Sequence, residues 1–163
     1  MLENLKNLVK QYAGDAIINN PAIPNERNDE AVADASHSIV GGLKDAVSKG
    51  DISDVMDLFK GGEQSAPQSA IAQNIKGGFV QNLTHKFGLD QGKASQIAST
   101  LIPIVLQKFV HKTNDPNDKS FDLQDILGKL GGGAGVGKDI LGKLGGSNNE
   151  EGGGLIGKVK GLF

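Results

Sequence analysis

The chain has 163 residues, of which 45 are Leu, Ile, Val or Phe. This share exceeds the roughly 20% below which chains tend to stay disordered, so the sequence can bury one hydrophobic core. The chain contains no cysteine, which excludes a disulfide framework, a thiol nucleophile and a Cys-ligated metal. The formal net charge is -2, with 16 lysines but only one arginine, far from the strongly basic balance of most nucleic-acid-binding modules.

Two helices are predicted at the start of the chain, because apolar side chains recur there at three- and four-residue spacing. The first covers residues 2–17 and ends before Pro21, which lacks a backbone N–H. The second begins near Asn28 or Asp29, either of which can act as N-cap, and ends at Gly50. Its expected buried face consists of Val32, Ala35, Ile39, Leu43, Ala46 and Val47.

Two further helices are predicted in the middle of the chain. The third is short, begins after Asp51 as its cap and ends at Gly61-Gly62. The fourth covers residues 71–87, with Gly88 as its C-cap. Its apolar positions recur at four-residue steps and are Ile71, Ile75, Phe79, Leu83 and Phe87.

After Asp90, the next predicted N-cap, the pattern indicates two short helices separated at Pro103, which is well placed to open the second of them. A polar turn over residues 113–120 follows, and Asp122 caps a last short helix. Its apolar residues are Leu123, Ile126, Leu127 and Leu130. Because no segment alternates with a period of two, we predict an all-α fold, a compact bundle of six to seven short helices with a Gly-rich C-terminal tail.

Two glycine pairs, Gly41-Gly42 and Gly77-Gly78, lie at equivalent places in two similar helical segments. Each glycine inside a helix costs about 1 kcal/mol relative to alanine. The pairs therefore predict that the second and fourth helices approach closely there, with all four glycines as packing positions. The alternative is coincidence in a chain that contains 24 glycines.

The sequence Asp125–Gly132 recurs letter for letter as Asp139–Gly146, and residues 154–161 form a degenerate third copy. We expect the first copy to belong to a helical domain over residues 1–132. The other two lie in a tail over residues 133–163, on Gly-rich linkers, with too few apolar residues for a core of their own. The tail residues predicted to contact a partner are Ile140, Leu141, Leu144, Leu155, Ile156, Val159, Leu162 and Phe163.

Residues 78–131 combine Phe87-Gly-Leu-Asp90, an Ala-containing helix, the Leu101-Ile-Pro103 break and, after the polar turn, a Gly/Leu-rich segment. This order resembles the YidB-like bacterial domain of unknown function. The first 60 residues resemble the N-terminal extension of its Bacteroidetes-type members. The resemblance implies a small, all-helical, cytoplasmic bacterial protein, and it brings no activity, cofactor or catalytic residue.

No motif predicts catalysis or a cofactor. Residues 132–139 fit the phosphate-loop pattern up to Lys138, but Asp139 replaces the Ser or Thr that binds magnesium, and no strand precedes the loop. The segment from Asp115 fails the EF-hand pattern at three required positions. The histidines lie far apart, without a second ligand at helical spacing. We therefore predict no enzyme activity, no metal and no cofactor.

The remaining function classes involve binding. We predict a non-enzymatic interaction or scaffold protein that associates with itself or with another protein through apolar helix faces and the repeat tail. The alternative is binding to a membrane surface through the last ten residues, where five apolar side chains accompany Lys158 and Lys160. Nucleic acid is not expected as a partner, because arginines and stacking aromatics are scarce. Charges near the N-terminus argue against a signal peptide, so we expect a cytoplasmic protein.

Overall fold

The computed structural model describes residues 1–131, and within this range it contains six α-helices and no β-strand. The helices are α1 (Leu2–Tyr12), α2 (Asn28–Lys49), α3 (Ile52–Lys60), α4 (Ala70–Phe87), α5 (Gln91–Asn114) and α6 (Leu123–Leu130). The predicted all-α fold and helical bundle are confirmed. The predicted tail, residues 133–163, lies outside the described residues.

The bundle is built around α2, α4 and α5, with α4 packed against both of the others and α1 packed against α2 and α5. Hydrogen bonds from Lys86 to Asp34 and from Asn82 to Ser38 show that α2 and α4 run antiparallel. Three phenylalanines are fully buried in the core: Phe59, Phe79 and Phe109. All six residues predicted for the buried face of the second helix are buried.

Most helix ends lie where local chemistry predicts them. Gly50 and Gly88 end α2 and α4 with left-handed φ angles of 85° and 66°, which glycine adopts without steric cost. The Asp90 carboxylate accepts a hydrogen bond from the backbone N–H of Lys93 and so caps α5. Asp51 occupies the N-cap position of α3, but its side chain accepts no hydrogen bond from the helix.

The end of the first helix and the start of the second differ from the prediction. Helix α1 stops at Tyr12, and a π-helical turn over Gly14–Ile18 follows, in which the N–H of Ile18 donates to the carbonyl of Ala13 at 3.0 Å. The wider turn redirects the chain while keeping Ile17 fully buried. The predicted cap at Asn28 or Asp29 is also wrong, because both residues are already helical, and the side-chain amide of Asn28 donates to the carbonyl of Ile18.

The predicted helix break at Pro103 is wrong, since α5 continues through it. A proline inside a helix removes one backbone hydrogen bond and costs about 3 kcal/mol. The residues on both sides offset this cost because Leu101, Ile102, Val105 and Leu106 are all fully buried, and each such side chain contributes about 1.5–3 kcal/mol. Among the helices of residues 1–131, none is long and apolar enough to cross a membrane.

Candidate functional site

The first copy of the repeat forms α6, and its apolar side chains are covered by the bundle. Ile126, Leu127 and Leu130 are 1%, 3% and 3% exposed, and α6 packs against α2. We call the surface of the bundle that covers these three side chains the α6 docking surface. Residues 125–130 of the first copy are therefore part of an amphipathic helix whose apolar face lies against the bundle.

The other face of α6 stabilises the helix by local contacts. Its start is capped by Asp122, whose carboxylate accepts hydrogen bonds from the N–H groups of Gln124 at 2.8 Å and Asp125 at 3.1 Å. Lys129 donates to Asp125 at 2.8 Å across one turn, and this hydrogen bond lowers the pKa of Asp125. A Cβ added to Gly128 would meet no atom within 4 Å, so this glycine is not required by packing.

The segment before α6 is anchored independently of the repeat. The Phe121 ring is 3% exposed and lies edge-on to Phe109, with 5.1 Å between the ring centroids. The side-chain amide of Asn4 donates to the carbonyl of Ser120 at 2.9 Å. These contacts tie the chain before α6 to α1 and α5, so the position of the docked copy is set by residues outside the repeat.

The polar turn ahead of this anchor is stabilised by carboxylates in the manner of Asx turns. Asp115 accepts a hydrogen bond from the N–H of Asn117, and Asp118 accepts one from the N–H of Ser120, each at 2.9 Å. Lys112 also donates to Asp118 at 2.8 Å. The Lys112 ammonium first, and the Ser120 N–H second, lower the pKa of Asp118 from 3.8 to about 2. These carboxylates therefore stabilise the turn itself.

The predicted interaction residues of the tail lie outside the described residues. They are Ile140, Leu141, Leu144, Leu155, Ile156, Val159, Leu162 and Phe163. The structure describes only the first repeat copy, and it shows what the apolar positions of that copy contact.

The glycine pairs differ from one another in what they contact. A Cβ at Gly42 would overlap Cγ1 of Ile75, so α2 and α4 approach closely at this point. The prediction that all four glycines are packing positions is wrong for Gly41, Gly77 and Gly78, where an added Cβ would meet nothing within 4 Å. Whether a glycine makes the contact depends on which side of its helix it occupies. The spacing of the pairs in the sequence does not indicate that side.

Gly41, Gly42 and Gly78 line a groove of about 330 Å³ between α2 and α4. The hydrogen bond from Asn82 to Ser38, 3.2 Å long, crosses between the two helices here. Further lining side chains carry charge: Asp45, Lys49, Asp51 and Asp54. Among these lining residues, no nucleophile is paired with a base. In the sequence, the glycine pairs were the feature that indicated this contact between the two helices.

A buried carboxylate that sequence reasoning missed also joins α2 to α4. Asp34 is 5% exposed, and one of its oxygens accepts a hydrogen bond from Lys86 at 2.7 Å. The other oxygen, Oδ2, has no hydrogen-bond partner among residues 1–131. The two residues are 52 positions apart, so no local pattern connects them.

The histidines do not form a catalytic or metal-binding group in the described part of the chain. His37 and His85 are exposed. His111 lies with Nε2 3.4 Å from Oε1 of Glu63, at the surface. Residues 1–131 contain no group of three or more His, Asp or Glu side chains placed to hold a metal ion.

Comparisons with known proteins found no relative for this chain. No family model, no curated protein and no solved structure matches it.

Proposed function

We propose that this chain is a non-enzymatic interaction protein that binds a protein partner, in the first place a second copy of itself, through the second copy of its repeat. The observation that supports the proposal is the burial of Ile126, Leu127 and Leu130 in α6. Residues 139–146 repeat the same letters in the same order. The same apolar face is therefore encoded a second time in the chain.

The second copy needs a surface to be stable as a helix. Helices shorter than about 12–15 residues are marginal in water on their own, and α6, which contains residues 125–130 of the first copy, has only eight residues. In the first copy the bundle covers the apolar face. In the second copy, Ile140, Leu141 and Leu144 correspond to the three covered residues, and we propose that a protein partner covers them.

Membrane-surface binding is the second candidate, and it rests on the third copy rather than on the second. Residues 155–163 combine five apolar side chains with Lys158 and Lys160, a composition typical of interfacial segments. A single short segment with internal glycines binds lipid only marginally. We favour a protein partner in the cytoplasm, and we retain membership of the YidB-like family as a proposal.

The test is the mass of the full-length protein, measured by light scattering after size exclusion at rising protein concentration. The decisive variant changes Ile140, Leu141 and Leu144 to Asp. A matched control adds the same three negative charges just after the copy, by changing Ser147, Asn148 and Asn149 to Asp. We expect a mass above that of the monomer for the wild type and the control, and a monomer for the triple variant.

Two other results would argue against a protein partner. A wild-type protein that stays monomeric at tens of micromolar and captures no partner contradicts the proposal. Flotation of the wild type with anionic vesicles, lost when Lys158 and Lys160 are both changed to Glu, supports the membrane candidate instead.

A further inference from the structure

We propose that the α6 docking surface has two occupants within one chain. Residues 125–130 occupy it in the structure, and residues 139–144 of the same chain replace them in a minor population. The inference rests on the proposed role of the repeat as a docking element, and it adds a competition between the two copies inside one molecule.

The first argument is the identity of the contacts. The three side chains that the docking surface covers in α6 are Ile, Leu and Leu, and the second copy carries the same three at the same spacing. It also carries the partners of the stabilising ion pair, since Asp139 and Lys143 correspond to Asp125 and Lys129. Within the repeated residues, the docking surface therefore meets the same side chains from either copy, whereas Leu123, which packs against the core just before the first copy, corresponds to Gly137.

The second argument concerns what precedes each copy. The first copy follows Phe121, which is buried, and Asp122, which caps the helix. At the same distance before the second copy stand Gly135 and Val136, so this copy has neither the aromatic anchor nor the cap. The difference in occupancy therefore comes from the flanking residues.

The size of this difference follows from two effects. Loss of an N-cap carboxylate weakens a helix by roughly fivefold in its equilibrium constant. With Phe121 anchored, the connection to the repeat lengthens from three residues (122–124) to 17 (122–138) when the second copy docks, and each doubling disfavours loop closure by roughly threefold. Together the first copy is favoured by roughly fifty- to a hundredfold, which leaves the second copy docked in roughly one molecule in fifty to a hundred.

The chain is long enough for the exchange. With Phe121 still anchored, 17 residues connect it to Asp139. An extended chain spans up to about 3.3–3.6 Å per residue, whereas α6 is only about 12 Å long at 1.5 Å per residue. The second copy therefore reaches the docking surface once the first copy has been released.

The third copy is a poorer match to the docking surface. Gly154 stands in the place of the aspartate, so Lys158 has no partner one turn earlier, and Val159 replaces the last leucine. The competition is therefore expected between the first two copies.

The sharpest test gives the second copy the cap that it lacks. In the full-length protein, Val136→Asp is compared with Val136→Ala, and amide hydrogen exchange is followed by mass spectrometry in peptides that cover residues 125–131 and 139–146. Exchange of a docked helix tracks the fraction of molecules in which it is released. We expect Val136→Asp to speed exchange at residues 125–131 by roughly fivefold and to slow it at residues 139–146, with no change for Val136→Ala. Unchanged exchange at residues 125–131 would overturn the proposal.

A second set of variants tests rescue. Leu127→Asp disrupts the first copy, Leu141→Asp disrupts the second, and a third variant carries both changes. We expect protection to move from residues 125–131 to residues 139–146 in Leu127→Asp, at a mass no greater than that of the wild type, and the double variant to lose it in both. If Leu127→Asp gains no protection at residues 139–146, or gains it only with a rise in mass, exchange within one chain is refuted. Neither result alters the mass measurement on the wild type that tests the proposed function.

Discussion

Replacement of Gly42 by alanine tests the closest approach between α2 and α4. The added Cβ would overlap Cγ1 of Ile75, which is 1% exposed. The same replacement at Gly77, on the exposed side of α4, meets no atom within 4 Å. The two variants therefore make one chemical change in two helices of one bundle, and only the first creates a clash.

The expected magnitudes follow from two effects. Alanine in a helix interior is favoured over glycine by about 1 kcal/mol, and this gain is common to both variants. Overpacking a core costs about 1–3 kcal/mol, and Ile75 cannot rotate away freely because a β-branched side chain in a helix has one preferred rotamer. We expect Gly77→Ala to stabilise the protein by about 1 kcal/mol and Gly42→Ala to be less stable than Gly77→Ala by about 1–3 kcal/mol.

The assay is urea unfolding of the full-length protein, followed by far-UV circular dichroism, with thermal unfolding as a second readout. For a chain of this length a difference of 1 kcal/mol shifts Tm by about 2–4 °C. An Ile75→Ala background removes the atom that the new Cβ meets, so the penalty of Gly42→Ala should disappear there. Equal stability of Gly42→Ala and Gly77→Ala in the wild-type background would refute the close approach.

Three further predictions concern single residues. Lys86→Met leaves the buried Asp34 carboxylate without its partner, and we expect the free energy of unfolding in urea to fall by about 1–3 kcal/mol. This is less than the cost for a fully buried pair, because Lys86 is half exposed. An unchanged urea midpoint would contradict this expectation. The pKa of Asp118 is lowered from 3.8 to about 2 by Lys112, so its contribution to stability is present above pH 3.8 and is lost as the pH falls towards 2. Asp118→Asn should therefore show a smaller fall in Tm over that window, and a fall equal to that of the wild type would refute the assignment. Pro103→Ala restores a backbone N–H inside α5, and we expect it to raise stability by up to about 3 kcal/mol, whereas a loss would show that the ring itself packs better than a methyl group.

Four helix ends and the buried faces were predictable because they depend on residues close in sequence. Left-handed glycines at Gly50 and Gly88, and capping carboxylates at Asp90 and Asp122, act within one turn of the helix end. The apolar spacing then identifies the buried face of each helix, whatever that face packs against.

Features that depend on tertiary contacts were not predictable in this way. Pro103 predicts a break by its local chemistry, and only the burial of residues on both sides of it keeps α5 continuous. The contacts of Gly42 with Ile75 and of Asp34 with Lys86 require the antiparallel register of α2 and α4. The glycine pairs therefore indicated the correct helices but not which glycine makes the contact.

The repeat shows why two identical segments need not occupy the α6 docking surface equally. The docked copy is stabilised by its own apolar face and ion pair, and also by the cap from Asp122 and the buried ring of Phe121 just before it. Only the first set of interactions is duplicated in residues 139–146. A surface that binds the apolar face and the ion pair can therefore bind either copy. The residues that are not repeated, Phe121 and Asp122, favour the first copy on the α6 docking surface. The second copy carries the same three apolar residues, Ile140, Leu141 and Leu144, and this is the basis on which we expect it to bind a partner.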